Sequence, residues 1–321
     1  MGQVLEGPLL PQDAAKSRRL LLAAVITGAV CVLELIGGLM SGSLALLSDA
    51  AHVFADVFSL LLSFFALRLA CRVPTMQHNY GFHRAEIFAA LINGLALFAI
   101  AILIGREAWE RFLAPPEIHT SQMLAIAVLG LLANGYVLLG LRGHSHDINL
   151  HSAYLHVLGD LLASLGVVAA AILMASTGWY LADPIISTAI GLLIFVSAAR
   201  VVREAAHILM QGVPPHLDLR QITAAIETQP EICAVHNLRV WAVCSNAYIL
   251  TAHIVTCPET EEERKALRER LRNMLYRRFG VVEATLELEC EPCVGGTLIH
   301  PLSHADLVDT HTHGHDHVHE T

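Results

Sequence analysis

Charged side chains are scarce in this sequence. They make up 15% of its 321 residues, whereas a soluble domain carries about 25%. The scarcity is uneven, because residues 20–208 hold few charges and residues 218–291 have the composition of an ordinary soluble domain. This asymmetry predicts one part of the chain in the lipid bilayer and one part in water.

Several other features are missing. The net charge is −9 with histidine neutral, which gives none of the basic character that nucleic-acid binding requires, so no nucleic-acid partner is expected. No phosphate-binding glycine motif is present, so ATP-driven pumping is unsupported. The seven cysteines are odd in number and irregularly spaced, which argues against a disulfide framework and favours a reducing compartment.

Long apolar runs stand where the charges are missing. A membrane helix needs roughly 20 mostly apolar residues. Six runs meet this requirement: Leu20–Met40, Leu44–Cys71, Glu86–Trp109, Met123–Leu141, Ser152–Ser176 and Pro184–Val202. Because five further spans follow the first run, we interpret that run as a membrane helix and not as a cleaved signal peptide. The sequence thus predicts a six-helix transmembrane bundle over residues 20–209, preceded by a segment over residues 1–19.

Basic residues near the spans predict the orientation of the bundle. With the N-terminus in the cytoplasm, only Arg106 and Arg111 lie on the far side, and the other arginines and lysines that flank the spans lie on the cytoplasmic side. Positive residues concentrate in cytoplasmic loops. We therefore expect an integral protein of the cytoplasmic (inner) membrane of a bacterium, with both termini in the cytoplasm.

The soluble part, residues 210–293, predicts a small α+β domain. Its elements are expected in the order helix, strand, strand, helix, strand: Leu217–Thr228, Ile232–Ala242, Tyr248–Cys257, Glu259–Phe279 and Val281–Glu289. In the last strand, alternation places Val282, Ala284, Leu286 and Leu288 on one face. Residues 294–321 form a histidine-rich tail that is expected to be disordered.

Two predicted spans carry the same pair of polar residues. His52 and Asp56 lie in the second span, and His156 and Asp160 lie in the fifth. Residues four apart share one helix face, so two facing helices can present two imidazoles and two carboxylates to one point. Zinc accepts four nitrogen and oxygen ligands in a tetrahedron. An imidazole must be neutral to bind metal, so protons and metal compete for such a site.

Other interpretations of these residues remain open. A single histidine or aspartate in a span is often an interhelical hydrogen-bonding group, although the repeated spacing argues against that here. Asp49, three residues before His52, is a secondary candidate, and Glu34, Asn93 and Asn134 are interpreted as packing or gating groups. A metal sensor that does not transport is an alternative function. A zinc hydrolase is disfavoured because a catalytic zinc keeps three protein ligands and an open position, so no enzyme is expected.

Five motifs together point to one family. They are Ser43–His52 followed by Asp56, Tyr80–Glu86, the pair His156 and Asp160, Ala182–Pro184, and Val235–Trp241. In these motifs the sequence resembles the cation diffusion facilitator family, in its zinc-transporting branch. The resemblance implies a homodimer with a ferredoxin-like, metallochaperone-like cytoplasmic domain that exports metal in exchange for protons. It also implies that His52 favours zinc, with cadmium or cobalt as further substrates.

The same resemblance implies a second metal site in the cytoplasmic domain. The matching positions are His236, His253 and Glu289. Cys290 and Cys293 follow directly with the spacing of a metal clip, although a lone pair of this kind also occurs as ordinary thiols. No cofactor is expected, and zinc is expected as the transported substrate and as a candidate regulatory ligand.

Overall fold

The computed structural model describes residues 11–70, 72–141, 148–244, 247–256, 260–290 and 297–299. Within these ranges, the backbone alone is described at residues 11–24, 141, 148–153 and 156. The chain divides into two compact units. The first comprises Met1–Thr75 and Phe88–Ala205, and the second comprises Met76–Ile87 and Ala206–Thr321.

The first unit is built on long helices. Six helices follow one another along the chain: α1 (Pro11–Ser41), α2 (Leu44–Ala70), α3 (Ala85–Leu113), α4 (Thr120–Leu141), α5 (Ile148–Thr177) and α6 (Ala182–Leu209). By length and composition, α2 to α6 each contain a stretch that can cross a membrane, and α1 contributes the shorter apolar stretch Val25–Ser41 among the described residues. The predicted six-helix bundle is confirmed, with Cys71 of the second predicted span outside the described residues.

Helices α2 to α6 share one apolar core. Helix α1 contacts α2 and α4, and α5 contacts α4 and α2. Leu46, Met123, Met174 and Ile194 are among its fully buried side chains. Many large apolar side chains on the same helices point outward and are exposed. Helices that are apolar on all sides are typical of membrane spans, so these outward faces fit a lipid environment.

The second unit contains a three-stranded sheet and two helices. Its elements are α7 (Leu219–Glu227), β1 (Ala234–Cys244), β2 (Ala247–Val255), α8 (Glu261–Phe279) and β3 (Val281–Glu289). The strand order is β1-β2-β3; β1 pairs antiparallel to β2, and β2 pairs parallel to β3. Helix α8 is the crossover that a parallel pair requires. The predicted α+β domain and its order of elements are confirmed.

Local signals explain where the helices of this unit begin and end. The Asp218 carboxylate accepts a hydrogen bond from the Arg220 amide and caps α7. Thr260 and Glu263 form a reciprocal capping box at the start of α8. Gly280, with φ at 69°, ends α8 in the left-handed conformation that glycine adopts without a steric penalty.

One predicted core position is wrong. Val281 is buried, whereas Val282 is 53% exposed. The pairing of β2 with β3 shifts between Tyr248 and Ile249, because these consecutive residues pair with Val281 and Glu283. An irregularity of this kind inserts an extra residue and resets the alternation of side chains. Simple alternation from Val282 onward therefore assigns that residue to the wrong face.

Candidate metal sites

Three of the four residues predicted for the membrane site lie together. His52 and Asp56 are one turn apart on α2, and Asp160 lies on α5. The His52 Nε2 atom is 3.8 Å from Asp56 Oδ2 and 3.6 Å from Asp160 Oδ1. One ligand atom from each of the three residues lies within 4.8 Å of the other two. We call this group the bundle cluster.

The three members of the bundle cluster differ in exposure. The side chains of His52 and Asp56 are 30% and 31% exposed, whereas that of Asp160 is 4% exposed. One imidazole nitrogen and two carboxylates form a donor set that zinc accepts. The two carboxylates also neutralise a divalent charge, which lowers the cost of holding that charge among apolar helices.

The fourth predicted ligand, His156, lies on α5 one turn before Asp160. Its backbone belongs to the described helix, and its side chain lies outside the described residues. The structure therefore brings His52, Asp56 and Asp160 together, and the participation of His156 stays a prediction.

Asp49 has a different environment from the bundle cluster. It is buried, and its Oδ2 atom accepts a hydrogen bond of 3.3 Å from the Ser164 hydroxyl on α5. The Asn134 amide nitrogen on α4 donates in turn to that hydroxyl oxygen at 3.1 Å. This chain of hydrogen bonds joins α2, α5 and α4. Among the described residues, Asp49 lies outside the group of ligand atoms that could share one ion.

Asp183 fixes the beginning of α2 from another helix. This fully buried carboxylate, in the first turn of α6, accepts hydrogen bonds from the Ser43 hydroxyl at 2.6 Å and from the amides of Leu44 and Ala45 at 2.9 and 3.1 Å. Arg111 of α3 donates to the Gly42 carbonyl at 2.6 Å and lies 3.5 Å from Asp183. We call this arrangement the Asp183 clamp. It orients α2, the helix that carries His52 and Asp56.

The sequence reasoning identified Asp183 only as part of a motif. An acidic residue in a first turn usually stabilises its own helix, and no pattern in the sequence shows that its carboxylate caps the helix that begins at Leu44.

The three residues predicted for a second site also lie together, one on each strand of the sheet. Glu289 on β3 places its Oε2 atom 3.0 Å from His236 Nε2 and its Oε1 atom 2.5 Å from His253 Nδ1. His236 and His253 are cross-strand partners on β1 and β2, with ring centroids 5.2 Å apart. Their ligand atoms lie within 4.8 Å of one another. We call this group the sheet cluster.

Two further residues contact the sheet cluster, and the sequence reasoning did not single them out. The Asn237 side-chain amide lies 3.1 Å from His253 Nε2, and Glu287 lies 3.5 Å from the same nitrogen. Asn237 has φ at 50°, at the irregularity that separates His236 from Arg239 in the pairing of β1 with β2. Asparagine tolerates this left-handed conformation better than most residues, which is the one local signal for the irregularity.

Of the two cysteines in the predicted metal clip, only Cys290 belongs to the described residues. Cys290 follows Glu289 directly, is exposed and forms no disulfide with a described residue. Cys293 lies outside the described residues. A joint role for the two thiols stays a prediction.

Comparison with known proteins decides the family. The model of the cation efflux transmembrane domain matches residues 20–210, and the model of the cation efflux protein cytoplasmic domain matches residues 214–291. The chain belongs to the cation diffusion facilitator family. The predicted resemblance is thus confirmed, and the α+β unit is the cytoplasmic domain of this facilitator.

Curated relatives of this facilitator cover most of its length. The zinc transporter ZitB of Escherichia coli is 38% identical over 289 residues, which is 89% of this chain and 91% of the relative. The metal cation efflux system protein CzcD of Cupriavidus metallidurans is 37% identical over 86% of this chain and 87% of its own. The cadmium, cobalt and zinc/H(+)-K(+) antiporter of Bacillus subtilis is 34% identical over 87% of this chain and 91% of its own.

The family sets the general function. The chain is an integral membrane protein for cation efflux, and the family and these relatives are transporters rather than enzymes.

Proposed function

We propose that this facilitator exports zinc from the cytoplasm in exchange for protons, and that it also accepts cadmium or cobalt. The single observation that carries the proposal is the bundle cluster, in which His52, Asp56 and Asp160 place their ligand atoms within 4.8 Å of one another. His156 completes the site as its fourth ligand, from one turn before Asp160 on the same helix. The names of the relatives support zinc as the principal substrate.

Competition between zinc and protons supplies the coupling. Zinc requires neutral imidazoles and ionised carboxylates, so each arriving ion displaces protons from the site, and arriving protons release the ion. The transporter alternates between a state open to the cytoplasm and a state open to the far side. The name of the Bacillus subtilis relative, an antiporter, supports exchange of this kind.

The proposed arrangement places the chain as a homodimer in the cytoplasmic membrane, with both termini in the cytoplasm. The basic residues that flank the spans support this orientation. The transmembrane domain then comprises residues 20–209, the regulatory domain residues 210–293, and the histidine-rich tail residues 294–321.

Zinc uptake into proteoliposomes tests the proposed transport. Wild-type protein is expected to move zinc faster when protons flow down a pH gradient in the opposite direction. Asp160→Ala is expected to abolish uptake, because one buried carboxylate of the site is lost. A zinc-sensitive dye measures the rate in each case. Equal uptake by both proteins defeats the proposal, and zinc binding without gradient-driven uptake identifies a sensor instead.

We also propose that the sheet cluster holds a regulatory zinc ion. Two imidazoles and a carboxylate, one from each strand, form a zinc donor set. In the full-length Asp160→Ala background, the remaining zinc binding is expected to fall at least about tenfold when His253 is replaced by alanine. Calorimetry measures the affinity, and His216→Ala, which removes a histidine outside the sheet cluster, is the control. Unchanged binding after His253→Ala rules out the sheet cluster as the second site.

A further inference from the structure

Glu34 is a buried acid that the proposed zinc site does not use. It lies on α1, is 1% exposed, and its Oε2 atom has no hydrogen-bond partner among the described residues. Among the described residues, it is outside the group whose ligand atoms form the bundle cluster. Burying an ionised carboxylate without a donor is costly, and in a membrane span such a residue is functional by default.

The Glu34 carboxyl group occupies the space beside a glycine of α4. Helix α4 presents Gly130 to it, and a Cβ atom at that glycine would lie 2.5 Å from Glu34 Oε1. Any larger residue at position 130 would therefore displace the carboxyl group. The absence of a side chain at this point leaves Glu34 room without giving it a donor.

The contacts around Glu34 lead to the carboxylates of two other helices. About one turn before Glu34, the Cys31 thiol donates to the Ala50 carbonyl of α2 at 3.4 Å, next to Asp49. Gly130, which faces Glu34, lies one turn before Asn134, and Asn134 bonds to Ser164, one turn after Asp160 on α5. On its own helix, the titratable neighbour is the buried thiol of Cys31. Asp49 accepts a hydrogen bond from Ser164. The Glu34 Oε2 atom has no such donor among the described residues, and a proton on its own oxygen removes the charge.

We propose that Glu34 carries a counter-transported proton, and that a zinc ion bound at Asp160 expels this proton by its electric field without being coordinated by Glu34. The inference deepens the proposed exchange and rests on it. The buried position strengthens the effect, because charges interact more strongly in a medium of low dielectric constant. Zinc at the bundle cluster offsets the negative charge of Asp160, which lowers the free-energy cost of ionising Glu34. When zinc leaves, the negative field returns and Glu34 takes up a proton.

Glu34→Gln separates proton transfer from zinc binding. In proteoliposomes that contain a pH-sensitive dye, the variant is expected to release fewer protons per zinc ion, by about one, and a pH gradient accelerates its uptake less than that of the wild type. Exchange of radioactive zinc for unlabelled zinc, which needs no net proton movement, is expected to stay at the wild-type rate. Asp160→Ala is expected to lose both activities, since it removes a metal ligand.

Two outcomes overturn the inference and leave the proposed function intact. In the first, Glu34→Gln keeps the wild-type ratio of protons to zinc. In the second, it loses zinc-for-zinc exchange as Asp160→Ala does, which would make Glu34 part of the metal site or of the fold. Activity in Asp160→Ala would instead overturn the proposed function itself.

A second variant keeps the acid and changes only its position, so the test does not depend on the folding of Glu34→Gln. Gly130→Ala pushes the Glu34 carboxyl group aside, whereas Gly140→Ala on the same helix meets nothing within 4 Å. The pH at which transport is half-maximal is expected to shift in Gly130→Ala and to stay unchanged in Gly140→Ala. Identical pH profiles for these two variants overturn the inference.

Discussion

Replacing His52 with alanine is expected to weaken zinc binding at the bundle cluster by more than about 100-fold, because the loss of a group that merely supports a ligand already costs 10- to 100-fold. His52 supplies the only described nitrogen of the cluster, and it lies within 4 Å of both carboxylates. Without it, Asp56 and Asp160 keep their negative charges close together and lose the group between them. Transport in proteoliposomes is expected to stop.

The measurement requires a background in which the sheet cluster does not bind zinc. Calorimetry on full-length His236→Ala protein removes the contribution of the sheet cluster, and His52→Ala is then added to that background. His119→Ala is the matched control, because His119 is an exposed histidine of the same unit. An affinity that falls equally in both variants, or in neither, contradicts the assignment of His52 as a ligand.

Replacing Asp183 with alanine is expected to destabilise the helical bundle by about 3 kcal/mol, the cost of leaving buried donors and a partly buried charge without their acceptor. The Ser43 hydroxyl and the amides of Leu44 and Ala45 would lose their bonds, and Arg111 would lose its buried counter-charge. For a unit of this size, the loss corresponds to a fall in melting temperature of roughly 6 to 12 °C.

Thermal unfolding of the purified protein in detergent, followed by the helical circular-dichroism signal, measures this effect. Glu110→Ala is the matched control. It also removes a carboxylate paired with an arginine, but the pair with Arg106 is exposed, and exposed pairs contribute about 0 to 1 kcal/mol. Similar melting temperatures for the two variants would show that the Asp183 clamp has no special role in stability.

The elements of the fold were predictable where one physical signal decides them. Apolar runs of the length of a membrane span locate the helices, because lipid offers the backbone no hydrogen-bond partner. The charged helix α8 follows from the stripe of Leu267, Leu271 and Leu275, which the structure buries completely. Asp218 was recognisable as a cap because its partner, the Arg220 amide, is only two residues away.

The candidate sites were predictable to different degrees. The spacing of His52 and Asp56 places them on one face of one helix by geometry alone. Helix packing decides whether α5 brings Asp160 to the same point. The sequence predicted this placement through two copies of one His/Asp pattern and through the family resemblance. The sheet cluster depended on the resemblance entirely, since His236, His253 and Glu289 lie on three strands whose register no local signal fixes.

The remaining features depend on contacts between distant residues. The Asp183 clamp joins positions about 140 residues apart, and Asn134 reaches Asp49 only through Ser164. Val282 lies on the face opposite to the predicted one because of an irregularity in the pairing of β3 with β2. In each case the deciding partner is set by tertiary packing, which no pattern of composition or alternation contains.

The short turn between α1 and α2 has a consequence for how the protein is made. Helix α2 carries Asp49, His52 and Asp56, and it is synthesised about 100 residues before α5, which brings Asp160. The translocon must therefore admit these polar groups before their partner helix has been synthesised. Since α1 packs on α2 and only two residues separate them, the pair can enter the bilayer as one helical hairpin, with α1 covering part of the polar surface until the later helices arrive.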